Sequence, residues 1–279
     1  MRAKIDDWCK SIDDDIIVKT IKENAIITGG ALVSLLQNEQ PNDYDVYFKT
    51  KESCFKVAQY YATRWNETHA GKNVEIRETD TRITAFIQSA GIVAEDGDNG
   101  IDDTSEPCSN VEEEITETEK QKYRPRYFST NAISLSDKIQ LVIRFCGSID
   151  EIHTNYDFVH CTCSYDYKQN CVTLPQKALE CIINKELCYA GSKYPLCSII
   201  RTRKYITRGW KINAGQYLKM ALQLNELNLL DMDVFFEQVT GVDSAYFNEA
   251  IQHIKNKKLS DPDFEIDNTY LFNIINRIF

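Results

Sequence analysis

The chain has 279 residues, 43% of them hydrophobic, which is enough to bury the core of one large or two modest domains. Its formal charge is −10, but residues 94–122 alone hold eleven acidic side chains against two lysines. The rest is close to neutral, so the acidity does not exclude a nucleotide or nucleic-acid ligand. No run of about twenty apolar residues occurs, which argues against a membrane span.

The ten cysteines raise the question of the compartment in which the protein works. The sequence starts MRAKIDDWCKSIDDD, without the apolar region of a signal peptide, so we expect reduced thiols and a cytoplasmic protein, or a virion protein if the source is viral. His160, Cys161, Cys163 and Cys171 allow a zinc hypothesis. No CxxC pair is present, however, and buried structural cysteines are the favoured interpretation.

The first elements in chain order are a capped helix over residues 11–24, a glycine turn, a short helix and a strand. In the turn, Gly29 and Gly30 let the backbone approach a ligand closely, which suits a phosphate. Asp43 and Asp45 lie two apart on a strand and therefore project from one face. Two adjacent carboxylates repel each other unless a cation lies between them, and hard oxygen ligands of this kind suit Mg²⁺.

The middle of the chain alternates between helical and strand patterns. The acidic segment 94–122 is expected to be a mobile insertion, with a solubilising loop favoured over a regulatory mimic of nucleic acid. The other predicted elements are a helix near residues 54–65, a hairpin of Val74–Glu78 with Arg82–Gln88, strands at 127–135 and 138–145, a short helix at 148–155, and a central strand at 156–167.

From Thr173 onward the periodicity is helical, which predicts domains at residues 1–172 and 173–279. If the basic segment 194–213 is a helix, one of its faces carries Arg201, Lys204, Arg208 and Lys211. This face is either solvated or binds phosphate. The opposite face would place Arg203 among apolar neighbours, where it needs an anionic partner: a nucleotide phosphate or an aspartate of the core. The apolar C-terminal end, TYLFNIINRIF, must pack or meet a protein partner.

The glycine pair, the short helix, and Asp43-x-Asp45 after twelve intervening residues resemble the signature of the DNA polymerase beta-like nucleotidyltransferase superfamily. The resemblance implies an α/β nucleotidyltransferase core, with a mixed sheet and flanking helices, followed by an α-helical domain, and a nucleotide in the cleft between them. A third metal-binding carboxylate is expected on a strand beside the Asp43-x-Asp45 strand. Asp157 is the candidate and Asp166 its rival. The run from Asp157 is also similar to the Asp-Phe-Thr-x-Asn-Ala element of tRNA nucleotidyltransferases, but His160-Cys161 departs from it.

The same resemblance implies a metal-dependent enzyme that moves an NMP from an NTP to a hydroxyl acceptor on an RNA end, a protein or a small molecule. Short RNA or tRNA are candidate acceptors. Two Mg²⁺ would bind Asp43, Asp45 and Asp157, and the triphosphate would contact Gly29, Gly30, Arg201, Arg203 and Lys204. Parts of residues 127–230 resemble bacteriophage proteins with such a core. Two alternatives stay open: a non-catalytic, virion-associated or binding protein that retains the fold, and a toxin-type transferase acting on tRNA or a host protein.

Overall fold

The computed structural model describes residues 1–69, 73–79, 82–87, 92–94 and 122–239, and the isolated positions 256–257, 267, 269–270, 272–273 and 276. Its described residues form two compact units. The first comprises residues 1–154 and 160–182, and the second comprises residues 155–159 and 183–279. The predicted insertion, apart from its two end residues, and most of the apolar C-terminal end lie outside the described residues.

Helices and strands alternate in the first unit, and helices dominate the described part of the second. The helices are α1 Arg2–Lys10, α2 Asp15–Asn24, α3 Gly30–Leu36, α4 Lys51–Thr68, α5 Ile149–His153, α6 Gln176–Asn184, α7 Pro195–Thr207, α8 Ala214–Leu224 and α9 Met232–Val239. The strands are β1 Ala25–Thr28, β2 Tyr44–Phe48, β3 Val74–Glu78, β4 Ile83–Ile87, β5 Ile92–Ala94, β6 Pro125–Ser129, β7 Ala132–Leu135, β8 Ile139–Cys146, β9 Ser164–Asp166 and β10 Cys171–Thr173.

The first unit is built on a mixed sheet, with strand order β10-β9-β1-β2-β8-β7-β6-β5. β2 and β8 run parallel, whereas the other described neighbours run antiparallel. The predicted mixed α/β fold class is therefore confirmed. β3 and β4 form a separate antiparallel hairpin, as their alternation and the intervening turn predicted.

One face of the sheet is apolar and lies under α4. This helix begins at its N-cap Thr50, whose side chain accepts a hydrogen bond from the Ser53 amide. Its buried residues recur at helical spacing up to Tyr61 and Trp65, and the Trp65 ring meets Phe128 of β6 edge-on at 5.4 Å. Across the same core, the indole N–H of Trp8 donates to the Tyr61 hydroxyl at 2.6 Å. Burial of these aromatic rings holds the sheet and its helices together.

The predicted strand over residues 156–167 is largely wrong. Only Ser164–Asp166 is a strand, and a 3-10 helix occupies Val159–Thr162. Phe158 explains the difference, because its ring packs edge-on against Tyr189 and Tyr205 within the second unit. These contacts bring residues 155–159 into that unit, and they outweigh the strand propensity of the segment.

Other predictions differ from the structure in detail. α1 was not predicted, and the expected strand at 127–135 is two strands, β6 and β7, joined by a tight turn. The division of the chain into domains 1–172 and 173–279 stays a prediction, whereas the two compact units separate after Ile182. No helix within the described ranges is both long and apolar enough to span a membrane.

Candidate functional site

Asp45 faces away from the helical core because of the alternation along β2. Val46 and Phe48 are fully buried on the apolar face, so Asp45 projects from the other face. Asp45 is half-buried, and Asp43, which is exposed, precedes the strand by one residue. That Asp43 shares the face of Asp45 stays a prediction.

Polar residues of neighbouring strands lie side by side across this face of the sheet. Thr28 of β1 pairs with Ser164 of β9, and Asp45 of β2 pairs with Gln140 of β8. Since Ile27 pairs with Val46, the antiparallel register places Thr28 beside Asp45. Partners at one level of a sheet share a face, so Thr28, Asp45 and Gln140 line one polar row. The sequence reasoning missed Gln140, although it is a single polar residue in the apolar run Ile-Gln-Leu-Val-Ile.

Thr28 is tied to a neutral histidine. Its hydroxyl donates to the Cys163 carbonyl at 2.8 Å and lies 2.8 Å from Nε2 of His153, at the end of α5. A hydroxyl has one hydrogen to donate, so we assign Nε2–H of His153 as donor to Thr28. Burial lowers the pKa of His153, an effect that the nearby Asp150 carboxylate partly opposes. The imidazole beside the polar row is therefore held in its neutral form near pH 7. Sequence reasoning did not find His153, which lies 125 positions from Thr28.

The glycine turn lies between β1 and α3. Gly29 has φ 90° and ψ −147°, a combination that only glycine adopts without strain, and its N–H donates to the Cys161 carbonyl at 3.2 Å. Gly30 starts α3, and a Cβ added to it would meet nothing within 4 Å. The Gly29 amide is thus used inside the protein. Open space remains beside Gly30.

Asp157 lies in the second unit and not on a strand beside β2, which corrects the structural reasoning that selected it. It is 5% exposed, accepts a hydrogen bond from the Ser198 hydroxyl at 2.9 Å, and forms an ion pair with Arg201. Its backbone carbonyl accepts from the Ala190 amide at 2.8 Å. These contacts give the buried carboxylate the charged and polar partners that it requires.

The basic helix is rotated relative to the sequence prediction. Ser198 and Thr202 are buried and Arg201 is half-buried, whereas Arg203 and Lys204 are exposed. The arginine paired with a buried aspartate is therefore Arg201, and this aspartate belongs to the second unit. The helical pattern groups Arg203 with Ile199, Ile206 and Trp210 on one apolar face, but Ile206 is 44% exposed.

Asp166, the rival to Asp157, does lie on the sheet. It belongs to β9, two strands from β2, and its carboxylate is 2.6 Å from the Lys49 ammonium. It also accepts a hydrogen bond from the Gln169 amide. Of the four residues of the zinc hypothesis, Cys161, Cys163 and His160 are buried and Cys171 is exposed. Among the residues that the structure describes, no group of three or more His, Cys, Asp or Glu side chains could hold a metal ion.

Replacement of the two glycines by alanine tests whether the backbone angles of Gly29 require glycine. Gly29→Ala should destabilise the protein by about 1–3 kcal/mol, because alanine cannot adopt the observed backbone angles without strain. Gly30→Ala is the matched control and should be neutral or stabilising by up to about 1 kcal/mol. Thermal unfolding of both variants measures the difference, and equal melting temperatures would show that Gly29 is not strained in this way.

Replacement of two arginines of α7 tests which of them stabilises the protein. Arg201→Ala leaves the Asp157 carboxylate buried without its cation, and we expect a loss of about 3–5 kcal/mol. Arg203→Ala removes an exposed side chain and should change stability by less than about 0.5 kcal/mol. Urea unfolding followed by far-UV circular dichroism gives both values. A larger loss for Arg203→Ala would contradict the orientation of α7.

Comparison with known proteins gives both a family and a set of remote folds. Residues 1–185 match the family model described as "Gad2: Gabija anti-defense 2 family protein". The chain is 21% identical over 253 residues to "Gabija anti-defense 2" of Bacillus phage SPbetaL7, an alignment that covers 90% of this chain and 48% of that protein. The chain thus spans about half the length of this relative.

Solved structures of tRNA-processing enzymes are similar only at a distance. The CCA-adding enzyme of Thermotoga maritima complexed with tRNA is 11% identical, with a TM-score of 0.41 over 80% of this chain and 45% of its own. The Bacillus stearothermophilus CCA-adding enzyme in complex with CTP is 12% identical, with a TM-score of 0.40 over 89% of this chain and 51% of its own. TM-scores this low carry no argument about mechanism. The family match covers well over half of the sequence, and the chain therefore belongs to the Gabija anti-defense 2 family.

Proposed function

We propose that this chain is a metal-dependent nucleotidyltransferase, encoded by a phage, that acts against the Gabija defence in the host cytoplasm. The observation that carries the enzymatic part is the placement of Asp43 and Asp45. Asp43 directly precedes β2, Asp45 lies on the face of β2 away from the helical core, and the register puts Asp45 beside Thr28, directly before the glycine turn. The family match supports the biological part.

The donor set of this site fits Mg²⁺. Asp43 and Asp45 offer hard carboxylate oxygens, and Mg²⁺ in nucleotide sites is commonly held by one or two carboxylates together with substrate phosphates and water. Gln140, at the level of Asp45 on the parallel neighbour β8, offers a further oxygen in the form of a neutral amide. When bound there, the two Mg²⁺ would neutralise charge on the triphosphate and lower the pKa of the acceptor hydroxyl.

In the proposed reaction, the acceptor oxygen forms a bond to the α-phosphorus of the NTP, and the bond from this phosphorus to the β-phosphate oxygen breaks. Pyrophosphate leaves, and the acceptor hydroxyl loses its proton to solvent. Asp43 and Asp45 act by orienting the reactants and by balancing charge, which is the main contribution of a protein to this chemistry. Open space beside Gly30 would admit the triphosphate. The contacts of Arg203 and Lys204 with a nucleotide stay a prediction, and both side chains are exposed.

Asp157 is not part of this proposal. Its ion pair with Arg201 and its bond to Ser198 give it a structural function in the second unit. The proposed site accordingly relies on two carboxylates. Arg201 is assigned the same structural function, because the Asp157 carboxylate is the anion beside it.

A second candidate function is a binding protein of the same fold without turnover. The observation that favours it is that the described residues contain no cluster of three metal-binding side chains. Such a protein would oppose the defence by occupying a protein surface. The two candidate functions differ in whether inhibition of the defence requires the Asp43 and Asp45 carboxylates.

The first test is nucleotidyl transfer. Purified chain is incubated with Mg²⁺, each α-labelled NTP, total RNA and host lysate, and the labelled product is identified on a denaturing gel. Asp43→Asn and Asp45→Asn should each abolish labelling, while the metal-free melting temperature stays equal or rises as repulsion is relieved. The control is Asp13→Asn, which neutralises an exposed carboxylate elsewhere. Labelling that survives in both site variants would refute the assignment.

The second test is infection of cells that carry the Gabija defence. Expression of this chain should restore phage plating, and Asp45→Asn should lose the effect if transfer is the basis of inhibition. Restored plating by Asp45→Asn at equal protein level would instead support the binding protein. If the unmodified chain fails to restore plating, the anti-defence function proposed for this chain is refuted, whatever the result of the transfer assay.

A further inference from the structure

A small basic pocket lies at the opposite end of β2 from Asp43 and Asp45. Its volume is about 100 Å³. Lys49 follows β2 directly, four positions after Asp45, and a strand rises about 3.3 Å per residue, so the pocket lies about 13 Å from Asp45 along the sheet. The described residues that line it are Lys49, Lys51, Arg82, Ile83, Arg144, Cys146 and Gly147.

Among the described residues that line this pocket, positive charge exceeds negative charge. None of the described lining residues is acidic. Two carboxylates contact the cations from outside: Asp166 lies 2.6 Å from the Lys49 ammonium, and Glu78 lies 3.0 Å from that of Lys51. Arg144 donates to the neutral amide oxygen of Asn131 at 3.1 Å, and Arg82 is exposed at the rim. Four cationic groups thus face two carboxylates in these contacts.

Cys146 lines this pocket together with the cations. Its pKa is lowered first by a hydrogen bond from the Cys54 thiol, is raised by burial, and is lowered least by the positive charge of Lys51. The thiol is therefore placed to report on a ligand that binds in the pocket.

We propose that this pocket binds a phosphate group. Its volume is well below the roughly 300–1,000 Å³ of pockets for drug-sized ligands, so it suits one compact anionic group and not a whole nucleotide. Arg82 and Arg144 offer planar groups of N–H donors that match phosphate oxygens, and the two lysines add charge. The phosphate has two sources with the same chemistry, a free phosphate or a phosphodiester of a nucleic-acid chain. The inference does not depend on nucleotidyl transfer.

The test uses the full chain with Asp43→Asn and Asp45→Asn, so that phosphate binding at the proposed catalytic site does not contribute. Calorimetry measures the affinity for orthophosphate in one arm, and for a short single-stranded RNA without terminal phosphates in the other. Arg82→Gln should weaken binding of the effective ligand at least fivefold, and adding Arg144→Gln should weaken it further. Lys19→Gln, which removes one exposed charge from α2, should change it less than twofold.

Alkylation of Cys146 shows whether the ligand binds in this pocket, and it needs no substitution there. Saturating ligand should slow its reaction with iodoacetamide at least threefold, measured by peptide mass spectrometry, while exposed Cys171 reacts at an unchanged rate. Protection by orthophosphate assigns a free phosphate, and protection by RNA alone assigns a phosphodiester. If neither ligand protects Cys146, or if Arg82→Gln and Lys19→Gln bind equally well, the proposal is overturned.

Discussion

The arrangement of the first unit depends on which face of β2 packs under α4. Val46 and Phe48 are fully buried there, and a shift of one residue would turn Asp45 toward this apolar face. The cost of burying a carboxylate without partners makes that alternative inaccessible. The hydrophobic contacts with α4 therefore fix where the carboxylates point. Packing on one face of the sheet determines the chemistry available on the other.

The parts of the fold that were predicted correctly have patterns that are local in sequence. The helical stripe of α4, the hairpin of β3 and β4 and the strand β2 are each defined by spacings of two to four residues. The same local reasoning failed for residues 156–163, which are rich in strand-forming residues. Phe158 is packed there by Tyr189 and Tyr205, and no local pattern contains those partners.

The candidate site shows the same limit. Asp43, Asp45 and the glycine turn could be predicted because one short stretch contains them all. Gln140 and His153 could not, because their positions follow from the pairing of β2 with β8 and from the contact of α5 with β1. The third carboxylate was placed by analogy, and the residue chosen, Asp157, is committed to Arg201 and Ser198. A cation and a hydroxyl at its oxygens give a buried carboxylate the partners that it needs without a metal ion.

In the proposed site, two carboxylates and a neighbouring amide would make the binding of metal and nucleotide depend on each other. Each carboxylate contributes one negative charge, so two Mg²⁺ would leave the protein ligands with an excess of positive charge unless the triphosphate is also present. Mg²⁺ gives up its water reluctantly and takes substrate phosphate oxygens as ligands. The metal and the NTP should therefore bind together, each weakly without the other. A family member that has lost turnover could retain the fold through the buried face of β2 alone, since neither Asp43 nor Asp45 belongs to the core that stabilises it.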